Sequence, residues 1–287
     1  MIPMPGTIGG AKITFRKTED MYMSKIGIIG LGYVGGAIKE AIEFSFEKPV
    51  LIDPAKGYND TYEDLKNTEG VFVCVPSPMG DDGRCDTGIL ESVLDNLKSI
   101  DYKGVIISKS TAPPDIYEML GQKFPNLVHI PEFLTAANAV RDYASGKFSI
   151  IGGTVLAYIH EAERLVKLTQ PELETVEFCS LGEAALAKYT INSFLAIKVT
   201  FMNEIYKLAA ASGVSYDQVA KMVAMDKRIG LSHMRVPGPD GHFGFGGACF
   251  PKDTSALLKY AESLGITPMV LEAAVKENTL FRLTESK

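Results

Sequence analysis

The run KIGIIG at residues 25–30, which flows into GLGYVG at 30–35, constrains this chain more than any other stretch. Its first part is a short apolar run of the kind that forms a strand buried on both faces. Its second part is a GxGxxG turn, and the residues after it repeat apolar side chains at helical spacing. A second apolar run at 49–53 closes on Asp53, twenty-three positions after Gly30. A lone GxGxxG is weak evidence. Placed between strand and helix, with an acid ending the next strand, it predicts a Rossmann βαβ unit and a dinucleotide.

Each position in the turn has a physical reason. Gly30 permits the tight turn, Gly32 lets backbone approach a pyrophosphate, and Gly35 lets the helix pack closely on the strand. The N–H groups at the helix start, around Tyr33 and Val34, then face the phosphates. Asp53 is placed to bond the adenosine ribose hydroxyls and to repel a 2′-phosphate, which favours NAD over NADP; Lys56 nearby moderates that preference. The competing reading is a glycine-rich turn with no ligand. Lys39 departs from the small residue this fingerprint often carries there.

Further strand-like runs at 70–75, 104–108, 127–130 and 148–151 lead into Pro76 and Ser77, Lys109 to Thr111, Pro131 to Leu134, and Gly152–Gly153. Polar or proline-rich residues thus stand at strand C-terminal ends, where open α/β sheets bind ligands. The expected fold class is α/β: a Rossmann-type doubly wound sheet, then a long connecting helix and a mostly α-helical second domain. The division expected is 1–23 as an N-terminal extension, 24–180 as the Rossmann domain and 181–287 as the helical domain. For the extension, a short strand at 12–16 and a role as an interface arm are the open readings.

Composition narrows the function classes. With 287 residues the chain can bury a core in two domains, and its 46% apolar and 22% charged residues are ordinary for a globular protein. The net charge is −6 and no lysine or arginine block breaks it, which argues against nucleic acid. No apolar run is long enough to span a membrane, and residues 1–23 lack a signal peptide's apolar core. Cys74, Cys85, Cys179 and Cys249 show no metal spacing and read as free thiols of a reducing, cytoplasmic setting. Cys74 reads as core, and Cys85 as exposed with nothing to activate it. The four histidines are scattered, and no metal is expected.

From Leu181 to about Ser212 the pattern is one long helix, ending at Gly213. At that length it is expected to cross between domains or subunits. Lys188 and Asn192 stand four apart on one face. They read either as functional polar groups or as a snorkelling lysine and a satisfied core asparagine. Ser215 resembles the start of a capping box with Gln218. Beyond it lies HFGFGGACFPKDT at 242–254, with a helix expected from Ser255. A structural cysteine needs no such setting. Glycines at 244, 246 and 247 clear space, while a helix start and Lys252 together favour a thiolate at Cys249. Asp253 is read as a helix N-cap, a polar partner, or both. Covalent catalysis suits such a loop.

Taken together, IGLGYVG, VPSP, KSTAPP, PEFL, KYTINSFLAIKVTFMNE, DKRIG and GFGGACFPKDT resemble the UDP-glucose/GDP-mannose dehydrogenase family, in family order over roughly residues 25–280. The resemblance implies a four-electron, NAD-dependent oxidation of a nucleotide sugar at C6, with UDP-glucose the leading substrate. It implies Cys249 as the nucleophile through thiohemiacetal and thioester. Lys188 and Asn192 would stabilise the oxyanion, Asp253 would act as base or water partner, and Thr111 and Glu132 would position water. Glu132, Phe133, Leu134, Lys188, Asn192 and the Phe245, Gly246 and Gly247 backbone would hold substrate. Pro76, Ser77 and Thr111 would line the NAD cleft, with Lys252 near cofactor or substrate. A homodimer through the long helix is the implied assembly.

Two departures qualify it. Thr135 and Ala136 stand where members usually carry Arg and Glu, so cofactor contacts or rate are expected to differ. Typical members also carry a third domain, so the chain reads as a short form. The alternatives are a one-step hydroxyacid dehydrogenase, which needs no Cys249, and a binding protein without turnover.

Overall fold

The computed structural model describes residues 7–8, 11–12, 25–42 and 48–284. Two short strands, β1 (Thr7–Ile8) and β2 (Ala11–Lys12), pair antiparallel outside the main sheet. The rest of the strand foreseen at 12–16, and the arm foreseen for 1–23, fall outside the described residues.

Among the described residues, the first unit comprises those up to Pro78 together with Asp86–Lys188. Its centre is an eight-stranded sheet of β3 (Ile26–Ile29), β4 (Val50–Asp53), β5 (Tyr58–Asn59), β6 (Gly70–Val73), β7 (Val105–Ser108), β8 (Leu127–His129), β9 (Phe148–Gly153) and β10 (Thr175–Cys179). The spatial order is 10-9-8-7-6-3-4-5. Pairs are parallel from β4 through β3, β6 and β7 to β8, and again for β9 with β10; β5 and the β8–β9 junction run antiparallel. The chain goes from β3 outward to β4 and β5, then returns to the other side of β3 at β6. That reversal is the topological switch of a doubly wound fold.

Strand periodicity explains why both faces must be covered. Along β6, Val71 and Val73 point into one cluster and Phe72 into the opposite one, all fully buried. One face is covered by α2 (Gly88–Ser99), through Leu90, Val93, Leu94 and Leu97, and by α3 (Pro114–Lys123), through Tyr117 and Leu120. The other is covered by α1 (Tyr33–Ile42), α4 (Ala139–Ala144) and α5 (Leu156–Thr169), through Ile38, Ile42, Tyr143, Leu165 and Val166. These helices repeat apolar residues every three or four positions, the stripe a sheet-facing helix needs.

The second unit comprises Met79–Cys85 and Tyr189–Lys287. It holds most of the long helix α6 (Leu181–Ala211), then α7 (Tyr216–Val223), α8 (Phe250–Ser263) and α9 (Met269–Thr284). The Ser215 side chain accepts from the Gln218 N–H, as the capping pattern required. The boundary expected at 180/181 lies where α6 begins, whereas the units divide at 188/189, within that helix. None of the four cysteines is disulfide-bonded. Cys85 is half-buried and bridges to Met79 rather than lying exposed. Among the described residues no helix is long and apolar enough to cross a membrane, and no group of three His, Cys, Asp or Glu could hold a metal.

His129 is a buried ring in the first unit, stacked on Tyr117 with centroids 3.9 Å apart. Its Nδ1 donates to Ser108 O at 3.0 Å, and burial pushes its pKa down to about 3. The unfolded chain takes up a proton near pH 6.5 that the folded chain refuses, so stability falls as pH drops from 6.5 towards 3. This group alone sets a slope on the order of 1.4 kcal/mol per pH unit at most. Urea melts of His129→Leu are expected to show a flatter dependence between pH 6 and pH 4 than the parent protein; an unchanged slope would contradict this.

Candidate functional site

In the first unit, the glycine loop hangs on both neighbours of β3. Gly30 N donates to Ile52 O at 2.9 Å, and Cys74 N donates to Ile29 O at 2.8 Å. Gly30 takes φ +85°, and a Cβ there would strike Cys74 O at 2.7 Å. A Cβ on Gly35 would lie 1.9 Å from Gly30 O, so α1 can start only this close to the strand with glycine there. A Cβ on Gly32 would meet nothing within 4 Å, so the space over the start of α1 is open. Tyr33 is exposed at that helix start and Val34 is half-buried.

Asp53 Oδ2 accepts from Leu31 N at 2.7 Å, and Lys56 Nζ donates to Leu31 O at 2.5 Å. Both residues therefore fix the glycine loop itself. One carboxylate oxygen of Asp53 holds the loop and the other is left for a ribose, while the Lys56 amine is directed at backbone. Lys39, the departure from the fingerprint, reaches over the Tyr58 ring at 6.0 Å from the last turn of α1. The open space over Gly32, the N-terminus of α1 and the acid at the end of β4 fit a dinucleotide pyrophosphate and ribose.

The next two loops are tied together. Pro76 is exposed, Ser77 is buried, and Ser110 Oγ donates to Val75 O at 2.7 Å. Tyr117 OH donates to Ser110 O at 2.6 Å, so the half-buried Thr111 rests on a braced turn. After β8, Glu132 Oε2 accepts from Leu134 N at 2.7 Å. Lys188 is buried, donates to Glu132 O, and lies 3.7 Å from Glu132 Oε1 and 5.2 Å from the Phe133 ring centroid. It is no snorkelling lysine: its ammonium is held indoors. Lys109 is a second buried ammonium, 5.9 Å from the Tyr143 ring, and burial pulls its pKa down to about 8 despite Glu132. Burial raises Cys74 to about 12, which makes that thiol inert.

In the second unit, α8 begins at Phe250 rather than at Ser255, and Cys249 is its N-cap, with Pro251 in the first turn. The N-cap reading of Asp253 is thereby corrected. Asp253 lies inside the helix, 1% exposed, where its Oδ2 accepts from Asn192 Nδ2 at 2.5 Å and its Oδ1 from Lys252 Nζ at 2.6 Å. Cys249 itself is exposed. The Lys252 ammonium, expected to favour a thiolate at Cys249, is instead bonded to Asp253.

The glycine loop before Cys249 is gripped from two helices. Asn203 of α6 accepts from Gly244 N at 3.0 Å. Asn278 of α9 accepts from Phe245 N at 2.6 Å and donates to Phe245 O at 3.0 Å. Phe245 is buried, and both its backbone N–H and its C=O are taken by Asn278. Gly247, at φ +76°, faces open space. Sequence reasoning missed this grip, along with Lys109 and the His129 stack. The signal available was a polar pair, Asn278 and Arg282, four apart on an otherwise apolar helix face.

Two profiles of a single family match this chain: its NAD binding domain over residues 53–169 and its central domain over 182–280. The chain belongs to the UDP-glucose/GDP-mannose dehydrogenase family. NAD is the cofactor that its first domain binds. The UDP-glucose 6-dehydrogenase of Rickettsia bellii is 36% identical over 228 residues, covering 75% of this chain and 50% of that protein. The UDP-glucose 6-dehydrogenase TuaD of Bacillus subtilis is 30% identical over 243 residues, covering 81% and 51%. The structure of a UDP-glucose dehydrogenase from Pyrobaculum islandicum superposes with a TM-score of 0.77 at 25% identity, covering 92% of this chain and 69% of that one. The chain thus spans about half the length of the curated relatives it matches. The central-domain match contains Lys188, Asn192, Cys249, Lys252 and Asp253, and the glycine loop precedes the NAD-domain match.

The two loop glycines separate fold from cofactor. Gly32→Ala meets no protein atom, so its melting temperature is expected to stay within about 2 °C of the parent while NAD affinity drops at least tenfold. Gly35→Ala is expected to lower both, because its Cβ overlaps Gly30 O. Thermal melts and NAD titration check the pair; a Gly32→Ala protein with unaltered NAD affinity would refute the cradle.

Proposed function

We propose that this chain catalyses the NAD-dependent, four-electron oxidation of a nucleotide sugar at C6 to the uronate, with UDP-glucose the favoured substrate. The observation that carries the reading is the exposed Cys249 at the N-cap of α8, in a unit that buries Asn192 against Asp253. A structural thiol is normally buried, and a buried Asn–Asp pair with a half-buried lysine on the carboxylate is costly unless used.

Bound NAD supplies hydride acceptance, which the overall stoichiometry requires twice per sugar. The chain's residues supply the rest. Lys188 and Asn192 lie one helical turn apart on α6, and each keeps donor capacity beyond the bonds already made. An ammonium has three N–H groups and a carboxamide two, so both can also donate to an alkoxide or tetrahedral oxyanion. The Cys249 sulfur adds to the C6 aldehyde as a thiohemiacetal, and after the second oxidation carries the sugar acid as a thioester. Water then cleaves that C–S bond, returning the thiol and releasing the carboxylate. In this reading Glu132, whose Oε1 faces Lys188, and Thr111 would position that water. Asp253 holds Asn192 and Lys252 in position and would act as base by taking a proton from the water that attacks the thioester.

A second copy of the chain is the proposed partner. Phe194, Phe201 and Leu208 recur every seventh residue on α6 and are all exposed, which supports pairing along that helix. None of the four cysteines is in a disulfide, which supports a cytoplasmic setting.

Supplied with UDP-glucose and NAD, the protein is expected to form two NADH per uronate. One NADH per product would indicate a one-step alcohol dehydrogenase, and none with retained NAD binding a protein without turnover. Cys249→Ser is expected to stall after the first oxidation, and Asn192→Ala to lower kcat on the order of 10²–10³-fold. Cys249→Ser turning over at the parent rate would end the thioester reading.

A further inference from the structure

We propose that Asn278 and Arg282 of α9 are positioning residues for the nucleotide sugar: they fix the Gly244–Gly247 backbone in the one arrangement that leaves Gly247 open beside the Cys249 loop. The proposal rests on the reading of that loop as a substrate site.

The geometry is unusually complete for a loop rich in glycine. Asn278 forms a two-point amide pair with the Phe245 backbone, accepting from its N–H at 2.6 Å and donating to its C=O at 3.0 Å. Arg282, one turn further along α9, donates from Nε to the same Phe245 O at 3.1 Å and from Nη2 to Gly244 O at 3.3 Å. Its Nη1 donates to Asp240 Oδ2 at 2.8 Å, which fastens the loop's other end. Asn203 closes the set from α6 by accepting from Gly244 N. Three side chains thus satisfy backbone groups of adjacent residues that no regular secondary structure engages.

Why this matters for a ligand follows from where the glycines point. A Cβ on Gly244 would lie 2.3 Å from Asn278 Oδ1, and one on Gly246 would lie 2.3 Å from Arg282 Nη2. Those two glycines exist to let the clamp approach. Gly247 is different: nothing lies within 4 Å of its would-be Cβ. The loop has one face against the clamp and one face open, and Cys249 follows two residues later. A glycine loop left to itself samples many backbone states, and ordering it upon binding would be charged against ligand affinity. Held in advance by Asn278 and Arg282, it meets the ligand already ordered. Arginine is suited to this because its planar fork reaches three oxygens at once, whereas lysine offers a single point.

The test compares Asn278→Ala, Arg282→Lys and Asp240→Asn with the parent protein. Arg282→Lys keeps the charge beside Asp240 but cannot span both carbonyls. It and Asn278→Ala are expected to raise KM for UDP-glucose at least tenfold while kcat falls less. The NAD dissociation constant should stay within twofold, because the NAD domain holds none of these residues. Asp240→Asn, which retains an acceptor for Nη1, should stay within threefold of the parent in KM. A purely structural role would instead lower the melting temperature and leave KM unchanged in the folded fraction, and that result would overturn the proposal. Should the parent protein fail to turn over UDP-glucose, the functional reading fails by itself. The clamp is then read by hydrogen exchange of the Phe245 amide and by the shift in UDP-glucose dissociation constant. Faster exchange with weaker binding in Asn278→Ala supports the clamp, and faster exchange with unchanged binding overturns it.

Discussion

An ammonium can be kept out of water only if its protons find acceptors, and α6 is built around that requirement at Lys188. Its side chain is 6% exposed, and its Nζ bonds the Glu132 carbonyl and faces the Glu132 carboxylate. Removing one partner of such a pair typically costs about 3–5 kcal/mol, since it strands a buried charge. The pairing therefore fixes the segment after β8 against α6, and with it the Phe133 ring that lies under the ammonium. Asn192, one turn on, repeats the device with Asp253. One helix thus anchors a residue of each unit through a polar contact that an apolar core would not supply.

The same economy is seen in the dinucleotide loop. Asp53 and Lys56 do not wait for a ligand to order them; they clasp the Leu31 peptide from both sides. The buried Lys109 adds positive charge near Glu132 in a region of low polarity. Burial pulls its pKa down to about 8, so the positive charge beside Glu132 is lost as pH rises through that value.

Much of this was legible in the sequence because it is local. The GxGxxG turn, the acid closing β4, the length of α6 and the Ser215 cap each depend on residues within a few turns of one another. Their outlines in the structure follow those expectations closely. The start of α8 was misplaced by five residues because aspartate is a favoured cap and cysteine is not, which drew attention to Asp253. Pro251, a residue favoured in a helix's first turn, was the better marker. What could not be read were partners far apart in the chain. The Asn278–Phe245 pair spans 33 positions and the Ser255–Gly83 bond spans 172, and no periodicity encodes either.

That last bond belongs to a feature with its own consequence. Residues 79–85 leave the first unit after β6, join the second, and return before α2. Ser255 Oγ donates to Gly83 O at 2.8 Å, so the excursion is fastened to α8, the helix Cys249 caps. The polypeptide consequently passes from one unit to the other three times, at 78/79, 85/86 and 188/189. Dissection at a single peptide bond in α6 would leave the NAD-binding half with a seven-residue flap lacking its anchor, and the cysteine half with an unfilled face on α8. Evolutionary shuffling of either half would meet the same obstacle, because a seamless exchange needs three junctions to match rather than one.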